Sequence, residues 1–574
     1  MHKPAFAWRI RFVSVLFVLV SLILLGRLYQ VQIIRHEFYL SDADRQFVRP
    51  AGGVFDRGNI FFSDKSGALI SAATLEKGFT LAIKPREIKG ASEPEELYAS
   101  LSALIPTLSK EVFMLKVGKT NDPYEELQKR VEVSTGQKIA DAELPGVVVE
   151  KERWRFYPGG KIASHILGFV GFKGDLLTGR YGVERYYNDV LSRDSSGLYS
   201  NFFAELFASI ASSTAKSSFG GEGDVVLSIE PSVQTFLEGS LRSTMKTWQA
   251  KEGGAVIIDP KNGAIYALAA YPDFDPNHFN QEEDVAVFVN PMVERVYEMG
   301  STVKPLTMAA GLDAGAVTSS TTYDDQGYGE LNGRRFSNYD GKGRGVVSMQ
   351  EVLNQSLNTG VAFVAEKMGY DNFGRYMKSF GLGEETGIDL PGEAAGLIKN
   401  LDSRESINYA TAAFGQGLAV TPMALVRALS AIANGGKLIT PHVGAEIDYT
   451  SGIKHTLSYD EGRRVITPET SETITRMLVQ VVDKALIGGA AKDPHLSVAA
   501  KTGTAQVPKP GGGYYDDRFL HSFFGYFPAY DPKFLVFFYI LYPEGARYSS
   551  ETLTQPFLKT KNFLVSYYGI LPDR

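Results

Sequence analysis

The sequence predicts an α+β protein whose main sheet is antiparallel, flanked by helices and interrupted by an inserted helical lobe. The first observation is a hairpin signal, in which two apolar stretches surround the turn Pro260-Lys-Asn-Gly263. The second is a set of late apolar runs with the length of buried strands, at residues 497–501, 523–527 and 534–542. The third is a set of helical patterns bounded by proline or glycine, at residues 231–248, 421–433 and 556–568. Elements grouped in this way pack as layers around one sheet.

Length and composition exclude several classes of function. At 574 residues the chain is long enough for several domains, and 44% apolar with 22% charged residues is typical of globular protein. The formal net charge of −6 gives no reason to expect nucleic acid. The chain contains no cysteine, which excludes thiol nucleophiles, cysteine zinc sites and disulfides. Neither a His-Glu-x-x-His metal motif nor a hydrolase elbow or phosphate-binding loop is present.

The N-terminal segment, residues 1–36, is predicted to be a short cytoplasmic tail followed by a membrane anchor. Residues 12–26 carry no charge, and as a helix they span roughly 22 Å of a ~30 Å hydrocarbon core. The span extends to residue 31 when Arg27 reaches to the interface. No cleavage signal follows, so an uncleaved anchor is favoured over a signal peptide. The alternative is a buried N-terminal core helix.

Residues 37–195 are predicted to form a first globular region, and 196–223 a linker. We expect two short strands and a turn within 52–67, a strand at 80–84, and helices at 93–105 and 124–133. The linker has a small and polar composition with one apolar stretch, which either packs on the body or touches lipid. Its apolar side chains are those of Phe202, Phe203, Leu206, Phe207 and Ile210.

Residues 224–574 hold the candidate chemistry, beginning at Ser301. Pro305 lacks an N–H and belongs to a helix only if that helix starts near Ser301. Residues three apart share a helix face, so Ser301 lies beside Lys304 at the positive end of the helix dipole. A serine next to a possible amine base is an activated-nucleophile arrangement. The alternative is a capping serine with a solvated lysine, because Ser-x-x-Lys also occurs at Ser213, Ser243 and Ser451.

The order of two later motifs favours catalysis at Ser301. Ser356-Leu-Asn358 follows at the end of a predicted helix, residues 346–357, and Lys501-Thr502-Gly503 follows in a predicted strand. Each motif alone has decoys, such as Ser406 to Asn408 and Lys65 to Gly67. The three motifs in helix, loop and strand contexts, in this order, are far rarer than any one of them.

At these residues the chain resembles a class B penicillin-binding protein, a peptidoglycan D,D-transpeptidase. The likeness extends to Arg57-Gly58, Gly182-Val-Glu184, the stretch 386–392 and Gly415-Gln-Gly417. Met299 stands where the family usually has proline, and the insertion around residue 202 is not a standard part of the pattern. The resemblance implies an N-terminal anchor, an elongated pedestal or dimerisation-type domain, and a penicillin-binding transpeptidase domain.

The resemblance also implies catalytic roles. Ser301 attacks the carbonyl between the last two D-alanines of a stem peptide, with Lys304 as its base. Ser356 relays the proton to the leaving amine. Asn358 holds Lys304 and the substrate amide, and Lys501 presents positive charge. To act as a base near pH 7, the lysine needs a pKa ~3 units below its ordinary value of ~10.4, which burial and a neighbouring cation both favour.

The remaining implied site is the substrate-binding strand. Thr502, Gly503 and Thr504 lie along it, and the two threonine hydroxyls are expected to bind the terminal carboxylate of the substrate. The backbone N–H groups of Ser301 and Thr504 are expected to form the oxyanion hole. No metal or organic cofactor is expected.

The expected partners are peptidoglycan stem peptides and nascent glycan strands, β-lactams, the bacterial membrane and a separate membrane glycosyltransferase, with no nucleic acid. The expected location is the cell membrane, with a single span and an extracytoplasmic catalytic domain. A β-lactam sensor would use the same serine, but no second membrane span is visible. A β-lactamase would need a deacylating base, and the Glu-x-x-x-Asn stretch at Glu184 to Asn188 precedes the nucleophile. A scaffold with an inactive site is the third alternative, although all three motifs are intact.

Overall fold

The computed structural model describes residues 55–88, 94–174, 176–193 and 221–574. The predicted anchor in residues 1–36 and the apolar stretch 202–210 lie outside these ranges. Among the helices of the described ranges, none is both long and apolar enough to cross a bilayer.

The region before residue 195 is built on one long strand. This strand, β2 (Leu69–Ile83), pairs antiparallel with β1 (Ile60–Ser63) at its start. Along the rest of its length it pairs antiparallel with β3 (Glu125–Val131) and β4 (Val147–Phe156). The other strands are β5 (Val170–Lys173) and β6 (Leu176–Gly179). The helices are α1 (Pro85–Ile88), α2 (Pro94–Leu104), α3 (Lys110–Val117), α4 (Val133–Asp141), α5 (Ser164–Leu167), α6 (Gly182–Tyr186) and α7 (Asn188–Leu191).

One helix prediction in this region is wrong. Residues 124–133, predicted as a helix, contain strand β3, which pairs with β2. Only Val131 of this strand is buried, so its composition resembles that of a solvated helix. The free β2 edge overrides local preference, because strand formation depends on neighbouring strands that local sequence does not reveal.

The region after residue 220 contains the antiparallel sheet that the sequence predicts. Its five strands lie side by side in the order 499–508, 514–527, 534–541, 252–258 and 265–271, an order that the sequence does not predict. The strands of the region are β7 (Gly223–Leu227), β8 (Glu252–Ile258), β9 (Ile265–Tyr271), β10 (Thr322–Asp325), β11 (Tyr328–Leu331), β12 (Arg334–Ser337), β13 (Gly345–Ser348), β14 (Gly444–Tyr449), β15 (Lys454–Thr456), β16 (Ala499–Pro508), β17 (Tyr514–Phe527) and β18 (Phe534–Leu541). The helices are α8 (Pro231–Thr247), α9 (Pro291–Glu294), α10 (Lys304–Asp313), α11 (Met349–Asn354), α12 (Asn358–Met368), α13 (Tyr370–Ser379), α14 (Ser406–Ala413), α15 (Pro422–Ala433), α16 (Pro468–Gln480), α17 (Ser549–Thr552) and α18 (Thr554–Tyr568).

Helices cover both faces of this sheet, which is why its central strands read as continuous apolar runs. Successive side chains of a strand point to opposite faces. Phe523 therefore packs in the core under α8 and α18, whereas Phe524 packs in the larger core that contains α10. The first eight residues of α10 are all buried, so this helix is the centre of the helical lobe.

The prediction of one helix over residues 346–357 is wrong at its start. Residues 345–348 form β13, which pairs with β10, and α11 begins at Met349 with Ser348 as its capping residue. Val346 and Val347 are β-branched, which favours the strand. The helix ends at Asn354, three residues before its predicted end at residue 357, so Ser356 and Leu357 lie in the loop that follows it.

A second sheet contains strands from both regions. Strand β7 pairs parallel with β1 and antiparallel with β14, so the chain after the linker completes the sheet begun before it. Beside this junction the buried carboxylate of Glu184 accepts hydrogen bonds from Arg57 (2.6 Å) and Arg155 (2.5 Å). Two arginines around one buried carboxylate compensate its desolvation, which fixes this end of the first region.

Candidate active site

The candidate nucleophile lies in a tight turn at the start of the central helix. Gly300–Val303 is a 3₁₀ turn that runs directly into α10, as Pro305 predicts. Ser301 is partly exposed, whereas Lys304 is fully buried. The serine hydroxyl is therefore reachable from solvent, and the amine behind it is shielded from water.

The three motifs that are distant in sequence meet at the hydroxyl of Ser356. Its Oγ lies 3.2 Å from Lys304 Nζ and 3.0 Å from Lys501 Nζ. Lys304 Nζ also donates to the backbone carbonyl of Ser356. Ser356 has a φ of +55°, a left-handed conformation that is uncommon for residues other than glycine. Such backbone strain is typical of functional positions.

Burial shifts both lysines toward the neutral amine. Desolvation, and then the nearby Lys501 charge, hold the pKa of Lys304 well below its ordinary value of 10.5. Desolvation lowers the pKa of Lys501 to about 7. A hydroxyl that lies between two amines can accept a proton from one of them and pass its own proton on. Lys304 is therefore the candidate base of this site, and Ser356 is the candidate relay.

Strand β16 supplies the wall of the site. Thr502 and Thr504 are partly exposed, and their neighbours Lys501 and Gly503 are buried, so the two hydroxyls share the open face. Thr504 Oγ1 accepts a hydrogen bond from the backbone N–H of Ser549 (3.1 Å). Its hydroxyl proton remains available to a ligand. β16 is an edge strand, so half of its backbone groups are free of the sheet.

Gly503 is required by the close approach of β16 to the nucleophile turn. A Cβ at this position would lie 2.4 Å from Ser522 Oγ and 2.8 Å from the Met299 carbonyl oxygen. Gly300, in the nucleophile turn, makes the reciprocal approach to β16. Its φ is +59°, and a Cβ added there would lie 2.6 Å from the backbone carbonyl oxygen of Thr504. The two glycines let the strand and the turn pack backbone to backbone.

Hydrogen bonds hold the turn where the family usually has a proline. The Met299 carbonyl accepts from Thr302 Oγ1 (2.9 Å) and from Ser522 Oγ (3.0 Å), and the Gly300 N–H donates to the Gly415 carbonyl (3.1 Å). Sequence reasoning missed Ser522, which comes directly before the apolar run 523–527 on β17 and belongs to no motif.

Asn358 lies beside the site, but its side chain does not make the expected contact with Lys304. Its amide Nδ2 donates to the Ser337 carbonyl (2.8 Å) instead of to Lys304, whose amine bonds to Ser356. The backbone N–H of Asn358 bonds to the side chain of Asn338 (2.9 Å), a residue that sequence reasoning also missed. Within the described ranges no group of three or more metal-ligating side chains is arranged to hold an ion.

Comparisons with known proteins identify the family to which the chain belongs. Residues 253–560 match the penicillin-binding protein transpeptidase domain family, and residues 55–198 match the penicillin-binding protein dimerisation domain family. Stage V sporulation protein D of Bacillus subtilis is 31% identical over 96% of this chain and 84% of its own length. The peptidoglycan D,D-transpeptidase MrdA of Acinetobacter baumannii is 27% identical over 93% of this chain and 84% of its own length.

Solved structures show the same fold. Penicillin-binding protein 2X from Streptococcus thermophilus superposes with a TM-score of 0.72 at 19% identity, covering 90% of this chain and 80% of that one. Penicillin-binding protein 3 from Mycobacterium tuberculosis, complexed with aztreonam, superposes with a TM-score of 0.64 at 25% identity, covering 74% of this chain and 92% of that one.

Proposed function

We infer that this chain, which belongs to the penicillin-binding protein transpeptidase family, is a peptidoglycan D,D-transpeptidase that forms an acyl-enzyme at Ser301 and is inhibited covalently by penicillins. The observation that carries the proposal is that two lysines contact the Ser356 hydroxyl. One of them, Lys304, lies one helical turn after Ser301, and the other is Lys501. This arrangement supports serine acyl transfer with a lysine base.

The acylation step follows from the protonation states of the site. Ser301 Oγ bonds to the carbonyl carbon between the last two D-alanines of a stem peptide, and its proton passes to the neutral amine of Lys304. The carbon–nitrogen bond then breaks, and the leaving D-alanine amine takes a proton from Ser356 Oγ. Ser356 regains its proton from a protonated lysine. General acid–base help of this kind is typically worth ~10²–10⁴-fold.

The second half of the reaction transfers the acyl group. The amine of a neighbouring stem peptide attacks the ester carbonyl and gives up a proton to the site, and the bond to Ser301 Oγ breaks as that oxygen is reprotonated. An amide cross-link forms and the free serine returns. No external oxidant, reductant or energy source enters the balance, because one amide bond replaces another.

The open face of β16 is proposed to bind the substrate. The hydroxyls of Thr502 and Thr504, with the positive charge of protonated Lys501, fit the terminal carboxylate, and Gly503 keeps the strand close to the nucleophile. The backbone N–H groups of Ser301 and Thr504 form the proposed oxyanion hole. Loss of one such donor typically costs ~3–4 kcal/mol of transition-state stabilisation.

We further propose that the protein is held in the cell membrane by one span within residues 1–36, with a cytoplasmic N-terminus and an extracytoplasmic catalytic domain. The uncharged run 12–26 and the position of every chemical motif after it support this orientation. The nascent glycan strands that carry the stem peptides are then made by a separate membrane glycosyltransferase. The sequence motifs of this chain account for transpeptidation and do not include one for glycan polymerisation. This placement predicts that the full chain resists extraction from membranes by alkaline carbonate.

Labelling with a fluorescent penicillin followed by peptide mapping tests the proposal. We expect one adduct, on Ser301, and none in a Ser301→Ala variant. The serines of the other Ser-x-x-Lys matches serve as internal controls, and two of them, Ser243 and Ser451, are exposed in the structure. An adduct on one of these serines, or no adduct on the folded wild-type protein, would overturn the assignment of Ser301.

A further inference from the structure

The side chain of Asn338 caps the helix that carries the second catalytic motif. Asn338 follows β12 and is only 2% exposed. Its Oδ1 accepts hydrogen bonds from the backbone N–H groups of Asn358 (2.9 Å) and Thr359 (3.2 Å). These are the first residues of α12, so the cap comes from another part of the chain.

Helix α12 needs this outside cap because it has none of its own. The first four N–H groups of any helix lack partners within the helix. The residue before α12 is Leu357, whose side chain cannot accept a hydrogen bond. Since Leu357 lies inside Ser356-Leu-Asn358, the uncapped end of the helix is also the catalytic loop. The neighbouring Ser337 carbonyl completes the contact by accepting from the Asn358 amide.

A buried carboxylate orients the Asn338 amide. Asp325, 2% exposed, accepts from Asn338 Nδ2 at 3.0 Å with each of its two oxygens. It also accepts from Thr359 Oγ1 at 2.7 Å and from backbone N–H groups of the adjoining turns. A carboxylate only accepts, so the amide must turn its NH₂ toward Asp325 and its oxygen toward α12.

We propose that Asn338, oriented by Asp325, is a positioning residue that keeps Ser356 between the two lysines; the proposal rests on the function inferred above. On the N-terminal side of the loop, the Leu357 N–H donates to the Val352 carbonyl of α11 (2.9 Å). On the C-terminal side, Asn338 binds the first N–H groups of α12. Without Asn338 the strained Ser356 backbone relaxes, and its hydroxyl moves away from the position that is 3.2 Å from Lys304 and 3.0 Å from Lys501.

The first test is Asn338→Ala in the full-length protein, with penicillin acylation followed over a range of penicillin concentrations. We expect the acylation rate constant to fall by ~10²-fold, the typical effect of a ~1 Å displacement of a catalytic group. The dissociation constant of the complex before acylation should stay close to the wild-type value, because Thr502 and Thr504 are untouched. A matched control is Tyr323→Phe, which removes a hydroxyl that contacts Thr359 Oγ1 (3.1 Å) and Asp325 but leaves both side-chain amide bonds of Asn338 in place. It should acylate at the wild-type rate.

The second test exchanges the two side chains and remains informative if Asn338→Ala does not fold. Asn338→Asp places two carboxylates ~3 Å apart, so we expect a slow or unstable enzyme. Adding Asp325→Asn leaves one negative charge in the pair, on the residue that faces the helix N-terminus, where it is favoured. The double variant should therefore recover acylation rate relative to Asn338→Asp, but only part of the stability, because the Asp325→Asn amide accepts with one oxygen where the carboxylate accepts backbone N–H groups with both.

Two results would overturn the proposal. One is a folded Asn338→Ala variant that acylates as fast as wild type. The other is a double variant whose melting temperature rises above that of Asn338→Asp while its acylation rate does not, since a purely structural role predicts that outcome. A wild-type protein that is not acylated at Ser301 would instead reject the proposed function, so the two failures are distinguishable.

Discussion

Replacing Lys501 with methionine should stabilise the fold at neutral pH while removing activity. Lys501 is 3% exposed and has no carboxylate partner among the hydrogen bonds of its amine, which go to Ser356 Oγ and the Thr502 carbonyl (both 3.0 Å). Burial lowers its pKa from 10.5 to about 7. In the unfolded chain the same amine is solvated and charged, so folding must either bury a charge or release a proton.

The size of this effect follows from the two pKa values. One pKa unit corresponds to ~1.36 kcal/mol, so the buried lysine costs ~4 kcal/mol of folding free energy at pH 7 and ~1 kcal/mol at pH 10. Between those values the unfolded state binds more protons than the folded state, and wild-type stability therefore rises with pH. Methionine has similar length and no charge, but it removes the Lys501 donor from the Thr502 carbonyl and leaves Lys304 as the remaining amine donor to the Ser356 hydroxyl, at ~1–3 kcal/mol. The net effect expected for Lys501→Met is a gain of ~1–3 kcal/mol at pH 7, which disappears or becomes a loss of up to ~2 kcal/mol at pH 10.

The assay is thermal unfolding of wild type and Lys501→Met at intervals from pH 6 to pH 10, with penicillin acylation measured on the same samples. Lys561→Met is the matched control, because Lys561 is also a buried lysine but pairs with Asp493. Breaking that pair should lower stability at every pH. A Lys501→Met protein that is less stable than wild type at pH 7, or a stability difference that does not change up to pH 10, would refute the argument from burial.

Four further outcomes are expected. Lys304→Arg should lose nearly all acylation, because arginine keeps its proton near neutral pH, and its melting temperature should fall, because the position is fully buried and cannot solvate a permanent charge; a folded variant that still acylates would show that Lys304 is not the base. Gly503→Ala should lose acylation and ~1–3 kcal/mol of stability, because its Cβ meets atoms at 2.4 and 2.8 Å; a wild-type acylation rate would show that the turn accommodates the methyl group. The penicillin adduct should persist, because the Glu-x-x-x-Asn stretch characteristic of β-lactamases lies at Glu184, in the buried arginine network and not at the nucleophile; rapid release of hydrolysed penicillin would identify a β-lactamase instead. Removal of residues 1–36 should leave a soluble protein that still binds penicillin, and a folded truncation that is not acylated would require the anchor to take part in the site.

Local sequence predicted those parts of the fold whose signals are themselves local. Pro305 predicted the start of the central helix, and the turn from Pro260 to Gly263 predicted the β8–β9 hairpin. The two apolar runs predicted the C-terminal part of β17 and the whole of β18. Each prediction used a periodicity or a backbone restriction that acts over a few residues. The prediction failed at residues 124–133, where the free edge of β2 imposes a strand on a sequence that alone favours a helix.

The sequence by itself determined the chemical groups of the site and their order along the chain, because residue identity is sufficient for both. Only the tertiary structure decided how those groups behave. The low pKa of Lys501 arises from burial by segments distant in sequence, and the shared hydroxyl of Ser356 requires three separate elements to meet. Asn338 and Ser522 show the same limit, since neither belongs to a motif and each acts through a hydrogen bond across the fold. Desolvation and long-range hydrogen bonds depend on which surfaces come together, and no local pattern of residues records that.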